Sequence, residues 1–226
     1  MMMRAMIALI GLGGVAGASL GDGGDYGLLV LDGQVVTGVG DHDSQSVTDI
    51  GERVFAADLS LVGANWFADE PGIFVEAGSL PDGVGIGFVI ESPLMRWDGA
   101  GAVDFSGLSS APVTLEFGPS SATSSMTAGD VAGFPILYDA DNPTGFDEHW
   151  DVLIGSSAGA GIYLMRLRFT IDGFADSEST WTVFNAGLDE GTHDLAIGYV
   201  EDVIVPAPGG LLAVGGVLAL VGHRRR

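Results

Sequence analysis

The 226-residue chain contains no cysteine and no lysine. Without cysteine there is neither a disulfide nor thiolate chemistry, so the fold must rest on its apolar core. Basic residues of any kind are scarce: eight arginines face thirty acids, for a formal net charge of −22. Such a field repels phosphate backbones and excludes nucleic acid as a partner. It suits solubility, divalent cations, or a salty medium that screens self-repulsion. Histidine is rare too, with only His42, His149 and His193 before the C-terminal segment. There is no G-x-S-x-G elbow and no H-E-x-x-H pair, so no catalytic motif is recognisable and no catalytic residue is assigned. Carboxylate pairs for glycoside hydrolysis are available in many places, and none is singled out by its neighbours.

A sustained 3.6-residue period is also missing from the middle of the chain. Thirty-seven glycines, with frequent Asp, Ser and Pro, cut it into short apolar runs instead, the pattern of an all-β protein. The clearest run is 162–171: Tyr163, Met165, Leu167, Phe169 and Ile171 fall on one face, Arg166, Arg168 and Thr170 on the other. Period-two alternation of this length predicts a half-buried strand. Segments 84–90 and 113–117 alternate likewise. Further strands are expected at 26–31, 34–39, 54–61, 72–76, 149–154, 180–185 and 195–205. Asp32-Gly33 between the first two of these is a two-residue hairpin turn of the I′ type. The expected architecture is an antiparallel β-sandwich, jelly-roll or Ig-like, over 19–204.

Both ends differ from this body. Residues 1–4 close with Arg4, 5–15 are apolar, and Ala16-Gly17-Ala18 is a small-residue cleavage site. This predicts a signal peptide over 1–18, handled by the Sec translocon, with Ser19 as the mature N-terminus. At the other end stand Val205, Pro206, Ala207, Pro208 and Gly209, then an apolar stretch over 210–222, then His223, Arg224, Arg225 and Arg226. The prolines force an extended, accessible segment. The apolar stretch partitions into hydrocarbon, and the arginines stay on the cytoplasmic side. With Arg4 and the three terminal arginines set aside, four arginines remain against all thirty acids, which leaves the body at −26.

That tripartite tail, 205–226, resembles the PEP-CTERM sorting signal of bacterial exosortase systems, in a Val-Pro-Ala-Pro-Gly variant. Ala207 stands where the family has Glu. The resemblance implies an exosortase-type partner, transient anchoring in the inner membrane, and release to the cell surface or extracellular matrix. An ordinary membrane anchor is the other reading. Segment 210–222 is short for one, since a span needs ~20 apolar residues, although 203–205 would lengthen it past the prolines.

For a bound ion, calcium is the best chemistry on offer. Asp139, Asp141, Asn142, Asp147 and Glu148 lie close together around Gly145, and carboxylates so spaced can converge on a hard cation that takes 6–8 oxygens. Asp41-His42-Asp43 with Asp49 forms a second, weaker cluster. In a chain so rich in Asp, ordinary Asp and Asn turns are the simpler explanation of both. Trp66, Trp97, Trp150 and Trp181 would form a sugar-stacking platform if exposed, but Trp150 and Trp181 alternate with apolar residues as core aromatics do. The expected function is that of an exported, surface-sorted, non-catalytic protein of the envelope or exopolysaccharide matrix. A secreted carbohydrate-binding module, calcium-dependent or not, is the alternative, with extracellular polysaccharide as its partner; a secreted hydrolase ranks behind both.

Overall fold

Short runs bounded by glycine give short strands. The computed structural model describes residues 24–142 and 145–205, and the signal-peptide segment with Ala16 and Ala18, and the tail from Pro206 onward, lie outside them. Along the chain the strands are β1 (Asp25–Leu31), β2 (Gln34–Asp41), β3 (Ser46–Thr48), β4 (Val54–Val62), β5 (Asn65–Ala68), β6 (Ile73–Val75), β7 (Gly85–Ile90) and β8 (Met95–Trp97). They continue with β9 (Val113–Phe117), β10 (Ser120–Thr123), β11 (Val131–Ala132), β12 (Ile136–Leu137), β13 (Phe146–Glu148), β14 (Asp151–Gly155), β15 (Gly161–Ile171) and β16 (Thr180–Ala186). One α-helix, α1 (Glu190–Tyr199), follows, extended by a π turn over Val200–Ile204. Among the described residues, no helix is long and apolar enough to cross a membrane.

The all-β expectation holds, and the strongest alternations become strands. The β1–β2 hairpin closes at Leu31 opposite Gln34, with Asp32 at φ 50° and Gly33 at φ 83°, as a I′ turn requires. Two sheets result. The smaller runs β13-β6-β1-β2-β3. The larger runs β10-β9-β14-β5-β4-β16-β15-β7-β11, with β8 also on β15 and β12 also on β7. Pairing is not uniformly antiparallel, because β1 pairs with β6 and β4 with β16 in parallel. Each of these partners lies far from the other in sequence, so no tight turn constrains their direction.

Side chains from both sheets meet in one core. The Tyr26 ring of β1 lies 4.7 Å from Phe55 of β4, 4.9 Å from Phe169 of β15 and 5.9 Å from Trp150. Its hydroxyl, buried and hydrogen-bonded to Thr182 of β16, is held well above the usual phenol range by that burial. Tyr163, Met165, Leu167, Phe169 and Ile171 all point into this core.

The other face of β15 departs from the simple polar expectation. Ile162 and Leu164 are as buried as the core face, in a second cluster with Val54, Ala56 and Val183. The cover is α1, at a place where a strand over 195–205 was expected. Asp189 caps it: its carboxylate accepts the Thr192 N–H at 3.1 Å and the Thr192 hydroxyl at 2.8 Å, satisfying an otherwise orphaned donor of the first turn. His193, Ala196, Ile197 and Val200 then fall on one helical face, at i, i+3, i+4 and i+7, and all are buried. Farther along β15, Arg166 and Arg168 do face outward, gathered around Glu91 at 2.9 and 3.6 Å.

Candidate functional site

Asp25, the first residue of β1, is only 1 % exposed, which is uncommon for a carboxylate without dedicated partners. Its partners come from three other segments. Oδ1 accepts the backbone N–H of Gly72 at 2.6 Å. Oδ2 lies 2.6 Å from Nε2 of His42 in the β2–β3 connection and 3.8 Å from Nε2 of His149, which precedes β14. Asp147 on β13 closes the group. Its Oδ1 is 3.0 Å from His149 Nε2, and its Oδ2 is 3.3 Å from His42 Nδ1. Glu70, between β5 and β6, stands with Oε1 3.5 Å from His149 Nδ1.

Small residues make this convergence possible. A Cβ on Gly72 would sit 2.9 Å from His149 Nδ1 and 3.0 Å from Asp25 Oδ1. A Cβ on Gly40, which faces Asp25 across the hairpin, would come 2.5 Å from Phe74. Phe74 in turn supports the His42 ring edge-on, with centroids 5.5 Å apart.

The electrostatics follow from crowding. Partial burial, then a hydrogen bond and charge repulsion from Asp25, push the Glu70 carboxyl up to about 7, against the opposing pull of His149 and the Gly72 N–H. At His149 burial is the largest single influence and works downward. The Asp69 carbonyl and the charges of Asp25, Glu70 and Asp147 together outweigh it and raise the ring. Glu148 is raised as well, by burial and by Asp147. Gly24, Asp25, His42, Phe67, Asp69 and Glu70 border a cleft of about 690 Å³, so the group is reachable from solvent.

The expected ion-binding residues are dispersed among different roles. Asp139 accepts the backbone N–H of Asp141 at 3.0 Å, an Asx turn. Asp139, Asp141 and Glu148 join no cluster of three or more His, Asp or Glu groups among the described residues, and Asn142 donates its backbone N–H to the Asp139 carbonyl at 3.4 Å. Asp147 alone is drawn into the Asp25 group. From the second acidic cluster, His42 goes to the same place, whereas Asp41 accepts from Asp43 and Ser44 within its own turn. Thus one member of each stretch contributes, and the buried hub, Asp25, lay outside both. Scarcity was the usable signal: two of the three histidines before the tail sit here. The third, His193, lies 3.6 Å from Asp58 with Glu190 nearby. Its Nε2 donates to the Val183 carbonyl at 3.0 Å.

The tryptophans make no platform. Trp97 and Trp150 are buried, Trp66 is packed against the main core, and Trp181 lies beneath Arg53 and Arg166 at 6.0 and 5.6 Å. No protein-family model matches the chain, and no curated protein matches it. Chemically, two imidazoles and three carboxylates of this kind can share protons or hold a cation.

Proposed function

We propose that this chain is an exported, surface-sorted, non-catalytic protein of the cell envelope or exopolysaccharide matrix, with a β-sandwich body. The observation that carries the reading is the order of the tail: Val205-Pro206-Ala207-Pro208-Gly209, an apolar stretch over 210–222, and Arg224-Arg225-Arg226. An extended processing site, a hydrocarbon-soluble segment and a cytoplasmic charge clamp are the parts that exosortase-type sorting needs. The A-x-A site at Ala16 and Ala18 supports Sec-dependent export. Two sheets sharing the core around Tyr26 support the sandwich.

A body charge of −26 suits a hydrated, cation-rich matrix. It also favours an interaction with polysaccharide through bridging cations over aromatic stacking, given where the tryptophans lie.

The deciding experiment is mass spectrometry of the protein recovered from the cell surface. The mature species should begin near Ser19 and end within 206–209. Recovery of surface protein that still extends to Arg226 would replace the sorting signal with a permanent anchor.

A further inference from the structure

We propose that the Asp25 group is a binding site for one divalent transition-metal ion of the zinc type, with Asp25 as the shared ligand of two overlapping sets, Asp25–His42–Asp147 and Asp25–Glu70–His149. The hydrogen-bond inventory points there first. His149 Nδ1 lies 2.9 Å from the Asp69 carbonyl, which can only accept, so this nitrogen carries a proton. In the neutral ring Nε2 is then a lone pair, and it faces Asp147 Oδ1 at 3.0 Å and Asp25 Oδ2 at 3.8 Å. These carboxylate oxygens are acceptors as well. His42 has a carboxylate at each ring nitrogen, so in its neutral form one nitrogen donates to a carboxylate and the other keeps a lone pair. Ring protons pair these groups in the ion-free protein, and a divalent ion that displaces them meets imidazole lone pairs and carboxylate oxygens brought from separate segments.

Orientation supports this independently. A histidine that ligates through one nitrogen almost always donates the other N–H to a carbonyl or carboxylate, which fixes its tautomer. The Asp69 carbonyl does this for His149. The Gly72 N–H does the equivalent for Asp25, engaging Oδ1 and turning Oδ2 toward the imidazoles. Ligands at ~2.0–2.1 Å from a tetrahedral ion are about 3.3 Å from one another. Within each set, one ligand atom per residue lies within 4.8 Å of the others, so modest side-chain shifts bring them to that spacing.

Donor type selects the metal. Imidazole suits zinc and its first-row neighbours, whereas calcium and magnesium take oxygen ligands and would gain little from His42 and His149. An ion here would tie β1, the β2–β3 and β5–β6 connections and the β13–β14 segment together. In a chain without disulfides it would act as a cross-link whose binding energy adds to folding.

The test uses the full-length chain, stripped with chelator and dialysed. Calorimetric titration and thermal melts are run with Zn²⁺, Ca²⁺ or Mg²⁺ against sodium at matched ionic strength. One Zn²⁺ per chain is expected, with a melting rise of roughly 5–11 °C at a hundredfold excess over Kd. Calcium and magnesium should do no more than sodium. His42→Ala and Asp147→Asn should each weaken zinc by about tenfold or more, whereas Asp58→Asn, at the other histidine, should not. Asp147 is a surface side chain, so its Asn variant keeps the metal-free circular dichroism of the parent and decides the matter if His42→Ala fails to fold. Absence of stoichiometric zinc, equal binding by Asp147→Asn, an equal calcium effect, or a loss in Asp58→Asn would each overturn the assignment.

Discussion

His149 and Asp69 meet at 2.9 Å, ring Nδ1 to backbone carbonyl. This contact joins the segment leading into β14 to the connection that follows β5. The same two strands pair antiparallel, with Val152 opposite Ala68. The ring is therefore fixed by main chain that is itself fixed by a sheet, which leaves the carboxylates to adapt to it.

Gly72 is the tightest point beside that ring. Gly72→Ala would place a methyl 3.0 Å from the Glu148 carbonyl as well as against Asp25 and His149, and backbone on a paired strand yields little. A loss of ~1–3 kcal/mol is expected by chemical denaturation. Gly198→Ala in α1 meets nothing within 4 Å and should instead stabilise by ~0.5–1 kcal/mol, the ordinary helical gain. Equal effects from the two would remove the steric argument.

Leu167 and Arg166 test β15. Leu167→Asp buries a carboxylate without a partner, at a cost of several kcal/mol against the ~5–15 kcal/mol that holds a domain together, so the body should not fold. Arg166→Ser loses the Glu91 contact and the packing over Trp181, yet Ser179 still donates to Glu91 at 2.5 Å. A cost of ~1 kcal/mol is expected. Melting curves on both variants separate the faces.

The cap of α1 is exposed and still decisive. Asp189→Ala removes both bonds to Thr192 and should lower the melting temperature, whereas Asp189→Asn or Asp189→Ser keeps the acceptor and should restore most of the loss. Failure of rescue would mean that α1 is held by packing alone.

Glu201 supplies a pH dependence. Partial burial, then the charges of Glu52 and Asp202, raise its carboxyl above the usual range. A raised carboxyl contributes stability below its unfolded value, and that contribution disappears as pH climbs through the folded value. Glu201→Gln should therefore match the parent near pH 4 and melt at a higher temperature near pH 7. Because the residue is exposed by area, the difference will be small and should shrink in high salt. A variant equal to the parent at both pH values would count against the crowding.

Much of the sheet structure was legible because long strands carry their period openly, as 162–171 does. Strands of two to four residues, such as β5, β8 and β11, exist only because a neighbour pairs with them, and so short a segment holds no period. The helix was hidden by composition: its buried face includes His193, which reads as polar, and Gly191 and Gly198 lower its propensity. The site divides in the same way. Asp147 and His42 lie in acidic stretches that draw the eye, but Asp25, Glu70 and His149 are scattered along the chain, and only strand pairing makes them neighbours. Asp139 and Asp141, the most conspicuous pair, serve a turn.

The parallel ladder between β4 and β16, from Val54 opposite Trp181 to Leu59 opposite Ala186, imposes an order on events during synthesis. At ~5–20 residues per second a ribosome takes roughly 6–25 s to travel from one strand to the other. Until β16 emerges, one flank of β4 has nothing to pair with, and a chain stopped before Thr180 keeps an open, aggregation-competent edge. Completion of the main sheet waits for nearly the last strand made, which leaves an interval in which the nascent polypeptide is still a thread.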